Sequence, residues 1–95
     1  MLTENTIVSI GENQVHSNLE GESVILDLEE GVYYGLDKVG TRIWQLIDTP
    51  VSIMKIINTI YEEYDVTREQ CTKDTINLLE NLAQHNLIQV TNPEN

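Results

Sequence analysis

His16, His85 and Cys71 are the side chains of this sequence best suited to nucleophilic or metal chemistry. A thiol activated by a neighbouring imidazole would need Cys71 and His85 in contact. Both fall on one expected helix, fourteen residues apart, which is about 21 Å along a helix axis. They meet only if that helix breaks, and a lone cysteine is more often a small buried hydrophobe. His16 stands alone near an expected strand. The carboxylates are numerous but sit in turns (Glu20, Glu22, Glu29, Glu30) or on a helix surface (Glu62, Glu63). No Asp-x-Asp-x-Asp-Gly loop, His-Glu-x-x-His pair or glycine-rich phosphate loop accompanies them. The sequence therefore points to a protein that is not an enzyme and carries neither metal nor cofactor.

Tyr33-Tyr34 is the local feature that remains. Adjacent strand residues point to opposite faces, so one tyrosine can join a core and the other cannot. Tyr34 shares parity with Val32 and Leu36 and is the expected core member. Tyr33 is then exposed beside a strand edge. There it suits a binding position, an aromatic with a polar tip, or simply a half-solvated strand face. The pattern allows both.

The elements that hold this pair divide into strands followed by helices. Val15 to Leu19 is a short extended piece, Glu20-Gly21 a turn, and Ser23 to Leu28 a strand with Val24, Leu26 and Leu28 on one face. Glu29-Glu30-Gly31 suits a hairpin connection with a left-handed glycine, and Val32 to Leu36 is the returning strand. Ile7 to Ile10 adds a further extended segment. Asp37 is an expected N-cap for a helix with Val39, Ile43, Leu46 and Ile47 inward and Trp44 on the shoulder, ended by Pro50. Ser52 opens a second helix with Ile53, Ile56, Ile57, Ile60, Tyr61 and Tyr64 on one stripe. Thr67-Arg68-Glu69-Gln70 reads as a capping box before a third helix, with Cys71, Thr75, Leu78, Leu79 and Leu82 inward. Leu87 to Val90 can return as a strand. The fold class is α+β: a three-stranded antiparallel sheet packed on three helices, with winged-helix proportions. Residues 1–14 form an N-terminal extension, 15–90 the domain, and 91–95 a frayed polar tail.

Charge narrows the partners. Sixteen acidic residues against five basic give a net charge of -11, which opposes nucleic acid and anionic membranes and favours a basic peptide. A winged-helix DNA-binding regulator would need a basic third helix, yet residues 67 to 86 hold only Arg68 and Lys73. One cysteine excludes an internal disulfide. With no signal peptide or membrane span apparent, a cytoplasmic protein is the simplest reading.

Three segments together carry a family likeness: Val24-Ile25-Leu26-Asp27-Leu28, Gly31-Val32-Tyr33-Tyr34-Gly35-Leu36-Asp37 and Val39-Gly40-Thr41-Arg42-Ile43-Trp44. The Ile53-to-Tyr64 helix and the closing Leu78-Leu79, Leu82 and Leu87-Ile88 complete it. In their order and spacing, over residues 15 to 90, the chain resembles the PqqD-like family, the RiPP recognition elements. The Tyr-Tyr-Gly-Leu form is most similar to the free-standing leader-peptide-binding proteins of lasso-peptide clusters. Asp37 stands where many relatives have Asn.

The resemblance implies that the leader of a precursor peptide pairs with the Val32–Leu36 strand, in a cleft beside the third helix. The implied contacts are Leu28, Val32, Tyr33, Tyr34, Gly35 and Leu36 with Asp74, Thr75 and Leu78. It also implies a separate processing enzyme as partner, a leader peptidase with a cyclase downstream. A PqqD-type peptide chaperone for a radical SAM maturase is the alternative. A free edge strand could equally pair with its own copy, so monomer and edge-strand dimer are both open.

Overall fold

The computed structural model describes residues 2–12 and 14–92, with Leu19 described by its backbone alone. Among these residues the chain forms β1 (Ile7–Ile10), β2 (Gln14–Leu19), β3 (Glu22–Asp27), β4 (Val32–Leu36), α1 (Lys38–Leu46), β5 (Val51–Ser52), α2 (Ile53–Glu63), α3 (Arg68–Gln84) and β6 (Ile88–Thr91). The expected α+β class, three-stranded sheet and three helices are all present. A second three-stranded sheet accompanies them.

The first sheet has the order β2-β3-β4, antiparallel throughout. Its two turns follow from local chemistry. Glu20 and Gly21 both have positive φ, 53° and 83°, the pattern of the tight turn whose twist matches paired strands. Between β3 and β4 the connection is Leu28 to Gly31, one residue longer than expected because β3 ends at Asp27. The Asp27 side chain accepts from the Glu29 N–H at 3.0 Å, and Gly31, at φ 70°, donates to the Asp27 carbonyl at 2.7 Å. Leu28 therefore belongs to the turn.

Register decides the faces. Ser23 pairs with Leu36, Ile25 with Tyr34, and Leu26 with Tyr33. Leu36 and Ile25 are buried with Ser23, so Val24, Leu26 and Leu28 share the opposite, solvent-facing side, with Val24 and Leu28 exposed. Three apolar residues thus lie outward and a single Ile inward. Once β4 turns Leu36 and Tyr34 toward the helices, pairing allows β3 no independent choice.

α1 packs across the inner face, contacting β3 and β4. Asp37 caps it as expected, accepting from the Gly40 N–H at 2.8 Å. The stripe is rotated from the expected one: Trp44 is buried with Ile43 and Ile47, while Val39 and Leu46 are half-buried. Gly40 permits this approach, since a Cβ there would sit 3.3 Å from Leu36 Cβ and Cδ2. Replacing Asp37 by alanine should cost about 0.5–2 kcal/mol, read as a Tm lower by about 4–8 °C per kcal/mol in a thermal melt.

Ser52 caps α2, its hydroxyl accepting from the Lys55 N–H, and Ile53, Ile56, Ile57 and Ile60 are buried. Tyr61, expected inward, is exposed instead. Its ring lies under the Arg68 guanidinium, 5.6 Å from the centroid, where a cation–π contact replaces burial. Thr67 caps α3 by accepting from the Gln70 N–H at 3.1 Å. The Gln70 amide does not reach back, as the capping box would have it. It donates forward to Asp74 at 2.8 Å, an i, i+4 pair.

The second sheet, β5-β1-β6, meets the helices through β5 against α2 and β6 against α3. Ile7 to Ile10 pairs with Thr91 to Ile88, and Val8 is wholly buried. Gly11 is needed at the exit of β1, because a Cβ would meet the Leu87 carbonyl oxygen at 3.0 Å. Thr91 pairs with Ile7, and Asn92 accepts a 2.7 Å bond from the Thr6 hydroxyl. Pairing therefore extends past the point where a frayed tail is expected. Of that tail, residues 93–95 lie outside the described residues, as do Met1 and Asn13 of the N-terminal extension.

Candidate functional site

β4 pairs with β3 on one side and, among the described residues, with no strand on the other. In an antiparallel strand alternate residues turn both N–H and C=O to the same side. A row of unshared donors and acceptors therefore runs along the outer edge, ready to template another strand. This edge opens on a cleft of about 510 Å³ whose opposite wall is α3.

The cleft floor is apolar and fixed. Leu36, Ile60, Cys71 and Thr75 are all buried at its base, held by the α2–α3 packing that places Cys71 Sγ 3.5 Å from the Ile57 carbonyl. Leu78 and Tyr64 are half-buried and form its sides, and Val66 is an exposed lip. Two carboxylates line it. Asp37 is engaged in capping α1, and Asp74, on the α3 rim, accepts from Gln70. The chemistry offered is a strand edge, an apolar trough and one acidic rim group. That suits an extended peptide with apolar side chains at alternate positions.

Six residues singled out from the sequence meet here: Tyr34, Gly35 and Leu36 from β4, with Asp74, Thr75 and Leu78 from α3. The other three do not line the cleft. Val32 and Tyr33 share the strand but are 53% and 71% exposed, and Leu28 lies in the hairpin turn at 56%. Val32 has inward parity yet sits at the hairpin end, and Tyr33 points to the open face of the sheet. Ile60, Tyr64 and Val66 are cleft residues that sequence reasoning missed. Their place depends on how the α2–α3 connection passes beneath β4, which no spacing encodes. The break at Asp65-Val66, with an apolar residue inside it, was the available signal.

Each histidine makes an aromatic contact. His16 packs edge-on against Trp44, centroids 5.8 Å apart, and His85 against Tyr34 at 5.4 Å. Cys71 and His85 lie at opposite ends of the unbroken α3. Among the described residues no three His, Cys, Asp or Glu side chains gather as metal ligands would, and no helix is long and apolar enough to cross a membrane.

The family model for coenzyme PQQ synthesis protein D (PqqD) matches residues 22–88, from β3 to the first residue of β6. The fold is also that of solved complexes. TbiB1 in complex with the TbiA(beta) leader peptide superposes with a TM-score of 0.79 at 34% identity, covering 85% of this chain and 94% of that one. Lasso peptide synthetase B1 complexed with the leader peptide gives 0.76 at 20% identity, covering 86% of this chain and 96% of that one, a likeness of fold. No curated protein is significantly similar in sequence. The free-edged β4, the facing α3 and the matched span together place the chain in the PqqD family.

Proposed function

We propose that this protein is a non-catalytic module that captures the leader segment of a ribosomally made precursor peptide as an added strand on β4. It then presents that peptide to a separate processing enzyme, a leader peptidase of lasso-peptide or related biosynthesis. The observation that carries this reading is the free edge of β4 opening on an apolar cleft closed by α3. The 34% identical TbiB1, solved with a leader peptide, supports it. The family description would equally fit a peptide chaperone for a PQQ-type maturase; the identity to TbiB1 favours the former. A single buried cysteine fits a reducing, cytoplasmic setting.

Energetics suit reversible capture. Four strand hydrogen bonds contribute about 1 kcal/mol each, and two apolar anchors about 1.5–3 kcal/mol each. Ordering a disordered leader costs about 2–5 kcal/mol. Of the remainder, about 2–8 kcal/mol, the upper part from about 4 kcal/mol corresponds to roughly millimolar to micromolar dissociation constants. Such binding is tight enough to recruit a substrate and loose enough to hand it on.

Calorimetric titration with the leader of the precursor encoded beside this gene tests the reading. Saturable heat and amide shifts across residues 32 to 36 are expected, and the absence of both defeats it. Gly35 offers a sharper probe. A Cβ there meets nothing within 4 Å and its φ is not positive, so the free protein has no need of glycine. Gly35→Ala should keep or slightly raise the Tm while weakening the leader severalfold, if the added strand lies close against it. Unchanged affinity would place the peptide elsewhere.

A further inference from the structure

The cleft residue Tyr34 also makes an aromatic contact with the C-terminal end of α3 that the capture reading leaves unused. Cys71, Thr75 and Leu78 face the cleft. Positions 82 and 85 continue the same stripe at helical spacing. Leu82 is fully buried, and His85, the C-cap, is exposed. Its imidazole meets the Tyr34 ring edge-on, with centroids 5.4 Å apart and planes at 62°. On the β4 side the lining also stops at Tyr34, with Val32 and Tyr33 beyond it. The two rings thus join β4 to the end of α3, about two turns beyond Leu78, the last cleft residue of that helix.

A strand added along the whole of β4 would run about 4.8 Å from it, through the space that the rings span. We infer that the Tyr34–His85 contact is a gate across the cleft, closed in the free protein and parted when a peptide strand pairs past Tyr34. The inference rests on the capture reading and deepens it, making His85 a residue that sets affinity by opposing entry. An edge-to-face pair adds a modest stabilisation of its own, so the gate should lower affinity by about two- to tenfold.

The test uses the full chain and a synthetic peptide of the leader encoded beside its gene. Association rate and affinity are measured for wild type, His85→Ala and His85→Phe, with nuclear Overhauser contacts between the Tyr34 ring and the His85 imidazole followed in wild type. His85→Ala should bind two- to tenfold tighter, chiefly through faster association. His85→Phe keeps an aromatic pair and should stay near wild type. The ring contact should be present in the free protein and lost at saturation. Equal or weaker binding by His85→Ala, or a ring contact that survives saturation, overturns the gate while leaving capture intact. A wild type that binds no leader, with its ring contact in place, overturns capture and the gate with it.

Discussion

Leu78→Ala should leave the protein folded and weaken its hold on the leader, whereas Leu79→Ala should do the reverse. The two are neighbours in sequence but about 100° apart around α3. Leu78 is half-buried and lines the cleft, while Leu79 is 0% exposed within the core. Losing the Leu78 side chain removes part of one apolar anchor, about 1–2 kcal/mol, which weakens binding roughly five- to thirtyfold. Losing Leu79 opens a core cavity and costs about 2–5 kcal/mol, a Tm fall on the order of 10–30 °C for a domain of this size. Saturating leader should recover part of that loss by mass action. Thermal melts with and without leader read both effects. A folded Leu78→Ala protein that binds like wild type would remove the cleft from the site.

Proline on β4 gives the second large effect, and a direct readout of strand addition. Tyr33 and Tyr34 turn their N–H groups to opposite edges of the strand. Proline at the one bonded to β3 removes a ladder hydrogen bond and should destabilise the hairpin by about 1–3 kcal/mol, the cost of leaving its β3 partner unpaired. Proline at the other faces the free edge, where an edge strand tolerates it. That variant should keep its Tm while losing tenfold or more in leader affinity, through one absent donor and a ring in the path of the added strand. If whichever variant stays folded also retains full affinity, β4 is not where the peptide pairs.

The sequence-level reading and the structure agree where the interactions are local. Asp37, Ser52 and Thr67 each cap the helix they precede, because a cap is a bond within three residues. Glu20-Gly21 turns the chain because only two left-handed residues are needed. They part where an interaction spans the chain. β5 is two residues after Pro50, too short to show any period. It is a strand because β1 lies beside it, more than forty residues earlier. Tyr61 falls on the apolar stripe of α2 by spacing, yet Arg68 across the α2–α3 turn draws it outward.

The edge strand shows the same division. By itself the sequence determined that Val32–Leu36 is a strand, that its two tyrosines take opposite faces, and that an acidic chain with so few cations turns away from nucleic acid. Those are properties of backbone parity and net charge, set residue by residue. Only the tertiary structure decided that the outer edge of β4 is left unpaired among the described residues and that α3 stands opposite it. It also put Tyr64 and Val66 into the same cleft and set His85 against Tyr34. Each of these is fixed by the packing of buried isoleucines and leucines from α1, α2 and α3. That packing orients whole helices, and it depends on the combined shape of the core rather than on any one segment.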